Sequence, residues 1–362
     1  MSINCHGADI YTASKRFGID EDDIIDFSSN INPLGIPCNV QEAIIRSIKY
    51  SSRYPDINSR ELTNSLSKYE VVPKNWIFCS NGAAEAIFRI ALCLKPKKAL
   101  LLSPTFSEYE QALKTVDTDI KYYNLDEKTG FKLTDNIINS INNETDMIFI
   151  CNPNNPTGQL TDKRLLEKVI SHSKSVDAIV VIDECFIDFV EDKEKYSVLN
   201  LLEKYDNLIV LKAFTKIFAI PGVRLGYCMS SNLDIIEGLK VSGPPWNVST
   251  IAQAAGVAAL EEKEYVMKTA SYIKEQRDFL IDEINKLNIK TYESYANYIF
   301  LKFEGEFDLH YELLKRGVLI RSCSNYRNLS DKYFRIAVKS EFENKLFIQK
   351  LKEIMDIKWK QY

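Results

Sequence analysis

Lys216 stands in an apolar run, "LKAFTKIFAIPGVRLGY" (211–227), with Arg224 eight positions later. A lysine on such a background ordinarily buries its stem and keeps its ammonium in water. A nearby cation and partial desolvation both disfavour the charged form. They lower the pKa and leave an amine able to form an imine with an aldehyde. Arg224 can be that cation, and its guanidinium fork also suits a phosphate.

Other stretches supply what such a site needs. "CSNGAAEAI" puts Gly82, Ala83 and Ala84 at a strand-to-helix turn. Glycine allows close approach of the backbone, and the first N–H groups of a helix have no intrahelical acceptor and favour an anion. Taken alone, the same turn is equally a packing device. "VVIDECFIDF" ends an apolar strand in Asp183 and Glu184. Asp183 either caps the next element or, ionised, keeps a heterocyclic nitrogen protonated so that the ring accepts electrons. "NPNNPTG" is a turn by composition, yet Asn155 within it offers an amide donor to a ring oxygen. Phe106 in "SPTFSEY" offers a face to stack on the ring. Aldehyde, ring nitrogen, ring oxygen and phosphate are together the groups of pyridoxal 5'-phosphate.

These residues require a scaffold that brings them to one place. Between about 76 and 230, short apolar runs ("WIFCS", "ALLLS", "MIFIC", "AIVVID", "NLIVLKA") alternate with helical patterns. Strands without polar alternation, separated by helices, predict a mostly parallel sheet covered on both faces, an α/β fold. Such sheets place their sites beyond the carboxyl ends of the strands, where Gly82, Phe106, Asn155, Asp183 and Lys216 fall. The pattern over 249–287 predicts one long bridging helix. Strands and helices then alternate to the end, predicting a large domain over 45–285 and a smaller α+β domain from 1–44 plus 286–362, with an N-terminal arm.

Composition narrows the partners. The 362 residues are 45% hydrophobic, enough for a sizeable core, and the 46 basic and 50 acidic residues nearly balance. No basic footprint for nucleic acid or an anionic membrane is present, so the expected partner is a small molecule. Eight scattered cysteines and three histidines show no zinc spacing, and no metal is expected. Nothing approaches the ~18 unbroken apolar residues of a membrane span, and the first residues are too polar for a signal peptide. Idle thiols fit a reducing cytoplasm.

Asn155 in "NNPTG", Asp183 in "DECF", Lys216 in "FTK" and Arg224 in "PGVRLGY" resemble, in order and spacing, the fold type I pyridoxal-phosphate enzymes of the class I/II aminotransferase family. The resemblance runs over essentially the whole chain. It implies that Lys216 carries the cofactor, Asp183 pairs with the pyridine nitrogen and Asn155 contacts the phenolic oxygen. It also implies that Thr215, Arg224 and the loop at Gly82 hold the phosphate. Tyr54 in "SRYPD" matches a tyrosine that the family supplies to the neighbouring subunit's phosphate, which implies a homodimer with shared active sites. The chain departs from the pattern at Phe186, where many relatives carry tyrosine, and at Ala213, where a hydroxyl residue is common.

Within the family, the His-Gly opening at His6 and "DFSSNINPLG" resemble the threonine-phosphate decarboxylases. Histidinol-phosphate aminotransferases more often read Asn-Glu-Asn-Pro where this chain has Asn30, Ile31, Asn32 and Pro33. The implied reaction is decarboxylation of the phosphorylated amino acid L-threonine O-3-phosphate in cobalamin biosynthesis. Transamination of histidinol phosphate with 2-oxoglutarate is the alternative, and a non-catalytic cofactor-binding module is the weakest reading. By the same resemblance Arg335 binds the substrate carboxylate. Arg321 suits the substrate phosphate, with His6 and Asn32 as further substrate candidates. His172 and His310, in charged helical contexts, read as surface residues.

Overall fold

The computed structural model describes residues 9–359. Its central sheet has seven strands: β1 (Ile77–Ser80), β2 (Lys98–Ser103), β3 (Asp119–Asn124), β4 (Met147–Cys151), β5 (Ile179–Asp183), β6 (Leu208–Ala213) and β7 (Gly226–Met229). Their spatial order is β1-β7-β6-β5-β4-β2-β3. β7 runs antiparallel to both of its neighbours, and the other pairs are parallel.

The unbroken apolar runs have a simple cause. Successive side chains of a strand point to opposite faces, and both faces are covered. Ile148, Ile150, Val180 and Ile182 pack into one core, and Met147, Phe149, Val181 and Ile209 into the other. β3 is one of the two edge strands, and its polar sequence DIKYYN has no fully buried residue, which discourages pairing with another sheet.

A second, four-stranded antiparallel sheet lies later in the chain. Tyr333–Ala337 sits between Arg321–Ser322 and Tyr298–Lys302, and Tyr298–Lys302 pairs in turn with Lys290–Thr291. Ile25–Asp26 pairs in parallel with Val318–Leu319, and Phe27 bonds to both Leu319 and Ala337 through its backbone. The N-terminal segment is thereby tied to the second sheet.

The single bridging helix expected over 249–287 is two helices, Thr250–Ala259 and Lys263–Asn285. The first packs on helices Cys38–Ser47 and Arg60–Glu70. The second packs on the turn Ile187–Phe189 and the C-terminal helix Glu341–Trp359. The chain bends at 260–262 because the two halves bury their apolar faces against different neighbours.

Candidate active site

A cleft of about 360 Å3 opens at the carboxyl ends of β4, β5 and β6. Ala83, Ala84, Phe106, Asn155, Asp183, Thr215, Lys216, Arg224, Arg321 and Arg335 all line it. Residues distant in sequence meet there because parallel strands deliver their C-terminal loops to one edge.

Lys216 sits on the single helical turn Phe214–Ile217 that follows β6. Burial, followed by the Arg335 and Arg224 guanidiniums, lowers its amine to about 8. Asn32 does not line the cleft. It braces the lysine's turn from behind: its N–H donates to the Lys216 carbonyl at 3.3 Å, and its side-chain amide donates to Ile217 O at 2.7 Å and Thr269 Oγ1 at 3.0 Å. Its amide donors are occupied by protein, which leaves it a supporting place rather than the expected contact with substrate.

Two glycines shape the end of the cleft near Arg224. Gly82 has φ +79°, and a Cβ there would lie 2.7 Å from Arg224 Nη2. A Cβ on Gly226 would lie 2.5 Å from the Ala83 nitrogen. Only glycine lets strand β7, the arginine and the start of helix Gly82–Leu94 converge this closely. Arg224 itself adopts φ +61°, a conformation costly for a side-chain-bearing residue and tolerated where the surroundings fix it.

At the opposite end Asp183 is buried at the tip of β5. It accepts a hydrogen bond from Tyr109 Oη at 2.5 Å and from the Cys185 N–H at 2.9 Å. Burial pushes its carboxyl up, against the lowering effect of these donors. Tyr109 was not singled out in the sequence. Its only signal is the helical spacing from Phe106, three residues before it in "FSEY", and its ring meets Phe106 edge-on at 5.6 Å. Phe186 also lines the cleft and packs edge-on against Tyr298 at 5.1 Å.

Arg335 Nη1 donates to Asn155 Oδ1 at 2.6 Å, and Nη2 donates to the Ser28 carbonyl at 2.9 Å. The first bond engages the oxygen of Asn155 and leaves its NH2 as the group free to donate elsewhere. Arg335 Nε is buried with no hydrogen-bond partner among the described residues. Arg321, paired with Arg335 across the small sheet, donates to Asn325 Oδ1 at 3.0 Å and lies 5.5 Å over the Tyr326 ring. Tyr326 and Asn30 also line the cleft; Asn30 was named from the sequence only as part of a family motif and not as a site residue, and Asn30 Oδ1 is buried with no hydrogen-bond partner among the described residues.

Tyr54 does not line the cleft. It is 80% exposed, with its ring 4.7 Å from that of Trp246. His6 lies outside the described residues. His172 and His310 are half-buried rather than surface residues, with His172 Nε2 placed 3.2 Å from Ile141 O. Among the described residues no His/Cys/Asp/Glu group could hold a metal ion, and no helix is long and apolar enough to cross a membrane.

The residues present fit pyridoxal phosphate. The glycine-shaped cradle at Ala83, Ala84 and Arg224 would suit a phosphate, the buried Asp183 would suit a protonated ring nitrogen, and Lys216 is an amine of lowered pKa suited to an aldehyde.

Over 354 residues the chain is 35% identical to the threonine-phosphate decarboxylase of Salmonella typhimurium, covering 97% of each. It is 33% identical to the histidinol-phosphate aminotransferase of Methanococcus aeolicus over 95% of this chain and 93% of that one. The crystal structure of the histidinol-phosphate aminotransferase from Clostridium acetobutylicum matches with a TM-score of 0.86 at 32% identity, over 91% of this chain and 98% of that one. The family described as aminotransferase class I and II matches residues 22–351, and with the sheet order and cleft above, this chain belongs to that family and has its α/β, fold type I architecture.

Proposed function

We propose that the protein is a pyridoxal-phosphate-dependent decarboxylase of L-threonine O-3-phosphate, acting in cobalamin biosynthesis. The observation that carries this reading is the pair of arginines, Arg321 and Arg335, buried side by side in one cleft, with Arg335 Nε unpartnered among the described residues. Two buried cations in one cleft suit a substrate with two anionic groups, a carboxylate and a phosphate. The similarity to the Salmonella decarboxylase along the full chain supports the same substrate class. Free thiols, including the exposed Cys38, fit a reducing cytoplasm.

Ala83, Ala84, Thr215 and Arg224 would hold the cofactor phosphate, Asp183 its ring nitrogen and Asn155 its ring oxygen. When bound, pyridoxal phosphate supplies an electron sink for whichever bond of the substrate α-carbon stands perpendicular to its ring. The chain selects that bond by orientation. Arg335, fixed by Asn155 and Ser28, takes the carboxylate, and Arg321 takes the phosphate. Lys216 Nζ, of lowered pKa, is the buried amine that would deliver a proton to the α-carbon in place of the departing carboxylate. Asp183, its carboxylate fixed by Tyr109, would keep a proton on the cofactor's ring nitrogen. Phe186 presents no hydroxyl where many relatives have one, and its edge-on packing against Tyr298 closes that side with apolar surface.

Product identity tests the assignment. Incubation with threonine phosphate should release CO2 and an aminopropanol phosphate, without glutamate. Glutamate from histidinol phosphate and 2-oxoglutarate, with no CO2 from threonine phosphate, would replace this reading by the aminotransferase.

The active unit in this reading is a homodimer. Tyr54 and Trp246 form an exposed aromatic pair, with Ile45, Ile48 and Ile57 also exposed nearby in sequence, and exposed apolar surface of this kind marks an interface. Mixing an inactive Tyr54→Ala variant with an inactive Lys216→Ala variant should restore part of the activity through hybrid dimers carrying one intact site. No recovery despite demonstrated subunit exchange would exclude a shared site.

A further inference from the structure

Glu127 lies far along the chain from every residue assigned above, in the turn Glu127–Thr129 just beyond the edge strand β3. Its carboxylate accepts hydrogen bonds from Tyr292 Oη at 2.7 Å, Tyr333 Oη at 2.7 Å, Lys290 Nζ at 2.9 Å and Lys302 Nζ at 3.2 Å. All of these donors belong to the small sheet or the residues flanking it. Phe131, from the same turn, meets the rings of Tyr292, Phe300 and Tyr333 edge-on at 5.2, 5.5 and 5.9 Å. Next to it, Asn328 Nδ2 donates to the Leu125 carbonyl at 2.9 Å and the Ser103 carbonyl at 3.3 Å. One short segment after β3 therefore grips the small sheet with a carboxylate and an aromatic ring.

The pairing register shows what this grip reaches. Alternate residues of a strand share a face, so Tyr333 and Arg335 project from the same side. Cross-strand partners share that side: Lys302 lies opposite Tyr333, Phe300 opposite Arg335, and Arg321 opposite Arg335 on the other flank. One face of the small sheet thus carries Lys302 and Tyr333 at its outer end and Arg335 and Arg321 at the cleft. Phe300 links the two ends, stacked on Tyr333 at 5.4 Å and 9°. At the cleft end the same face meets the large sheet's loops through the bond of Tyr298 Oη to Asn154 O at 2.8 Å, the bond of Arg335 to Asn155 and the edge-on contact of the Tyr298 ring with Phe186. The outer end has the stronger anchor, because a carboxylate bonded to two ammonium groups and two phenols forms charge-assisted bonds. Glu127 is 31% exposed, so the ion pairs alone contribute modestly. The convergence of donors from separate strands on one acceptor is what fixes the sheet.

We propose that Glu127 is a positioning residue for substrate binding: it sets the seat of the small sheet on the large one and so aims Arg335 and Arg321 at the anionic groups of the substrate. The proposal rests on the function inferred above for those arginines, and the experiment separates the two.

KM and kcat would be measured with threonine phosphate for the wild type, Glu127→Ala, Glu127→Gln, Tyr333→Phe and the double variant Glu127→Ala/Tyr333→Phe. Thermal unfolding and the cofactor absorbance would be recorded for each. Glu127→Ala should raise KM roughly tenfold, the scale of one charge-assisted bond, while kcat stays within about threefold and the absorbance is unchanged. Glu127→Gln retains an acceptor for the phenols and should lie between the wild type and Glu127→Ala. The double variant should be no worse than Glu127→Ala, since Tyr333 has then already lost its acceptor. A lowered melting temperature with unchanged KM would overturn the proposal and leave Glu127 a purely structural contact. If Glu127→Ala does not fold, Glu127→Gln and Tyr333→Phe carry the comparison, and unchanged KM in both is equally decisive against it. If the wild type turns over histidinol phosphate and not threonine phosphate, the substrate assignment fails while the KM ratio, measured with histidinol phosphate, still decides the role of Glu127.

Discussion

Replacing Lys216 with alanine should lower turnover by roughly a thousandfold to ten-thousandfold, the scale on which a positioned proton-transfer group contributes, while the fold survives. The side chain is buried beside Arg224 and Arg335, so its removal relieves a desolvated cation rather than exposing one. Borohydride should fix the cofactor to the Lys216 peptide of the wild type and leave the variant unlabelled. The pH dependence carries its own sign. An amine of ordinary pKa 10.5 is unprotonated at pH 7 in about one molecule in three thousand, whereas one lowered to about 8 is unprotonated in about one in ten. Capture of added pyridoxal phosphate by the apoprotein should therefore fall about tenfold per unit below pH 8 and level off above it. A plateau reached only above pH 10 would show that Arg335, Arg224 and burial do not act on this amine as described. Wild-type turnover in Lys216→Ala would remove the lysine from the mechanism altogether.

The second large effect is expected at Arg321. Losing one buried, charge-assisted contact to an anionic group costs about 2 to 5 kcal/mol, or roughly thirtyfold to several thousandfold in kcat/KM. Arg321→Ala should lose that factor on threonine phosphate and little on free threonine, so that the preference for the phosphorylated substrate collapses. Arg335→Ala should damage both substrates alike, because both carry the carboxylate and because Asn155 loses the donor that orients it. An undiminished preference for threonine phosphate in Arg321→Ala would move the phosphate to another partner, of which Asn30 is the cleft residue with an unengaged amide oxygen.

Much of the site was readable because its members are set by local chemistry. A lysine three residues past the end of β6, an aspartate ending β5 and a glycine opening a helix after β1 each occupy a place that a parallel α/β sheet turns toward one edge. What could not be read lies in contacts between distant segments. Tyr109 and Asp183 are 74 positions apart, and no periodicity couples a residue on a helix to the end of a strand. Glu127 takes its partners from positions 163 to 206 residues away. The helical pattern over 249–287 continues across 260–262, and only the change of packing partner there divides it.

Asn32 marks the boundary most clearly. Sequence placed it in a segment that approaches the site, but which groups its side chain bonds depends on a turn and a helix supplied by residues 217 and 269. By itself, the sequence determined the α/β class and the identity of the charged groups, because hydrophobic period and residue chemistry are local properties. The tertiary structure alone decided which of those groups face one another and which remain unpartnered. It also decided how the amine of Lys216 is tuned, since desolvation and the nearness of two guanidiniums exist only once segments far apart in the chain have packed together.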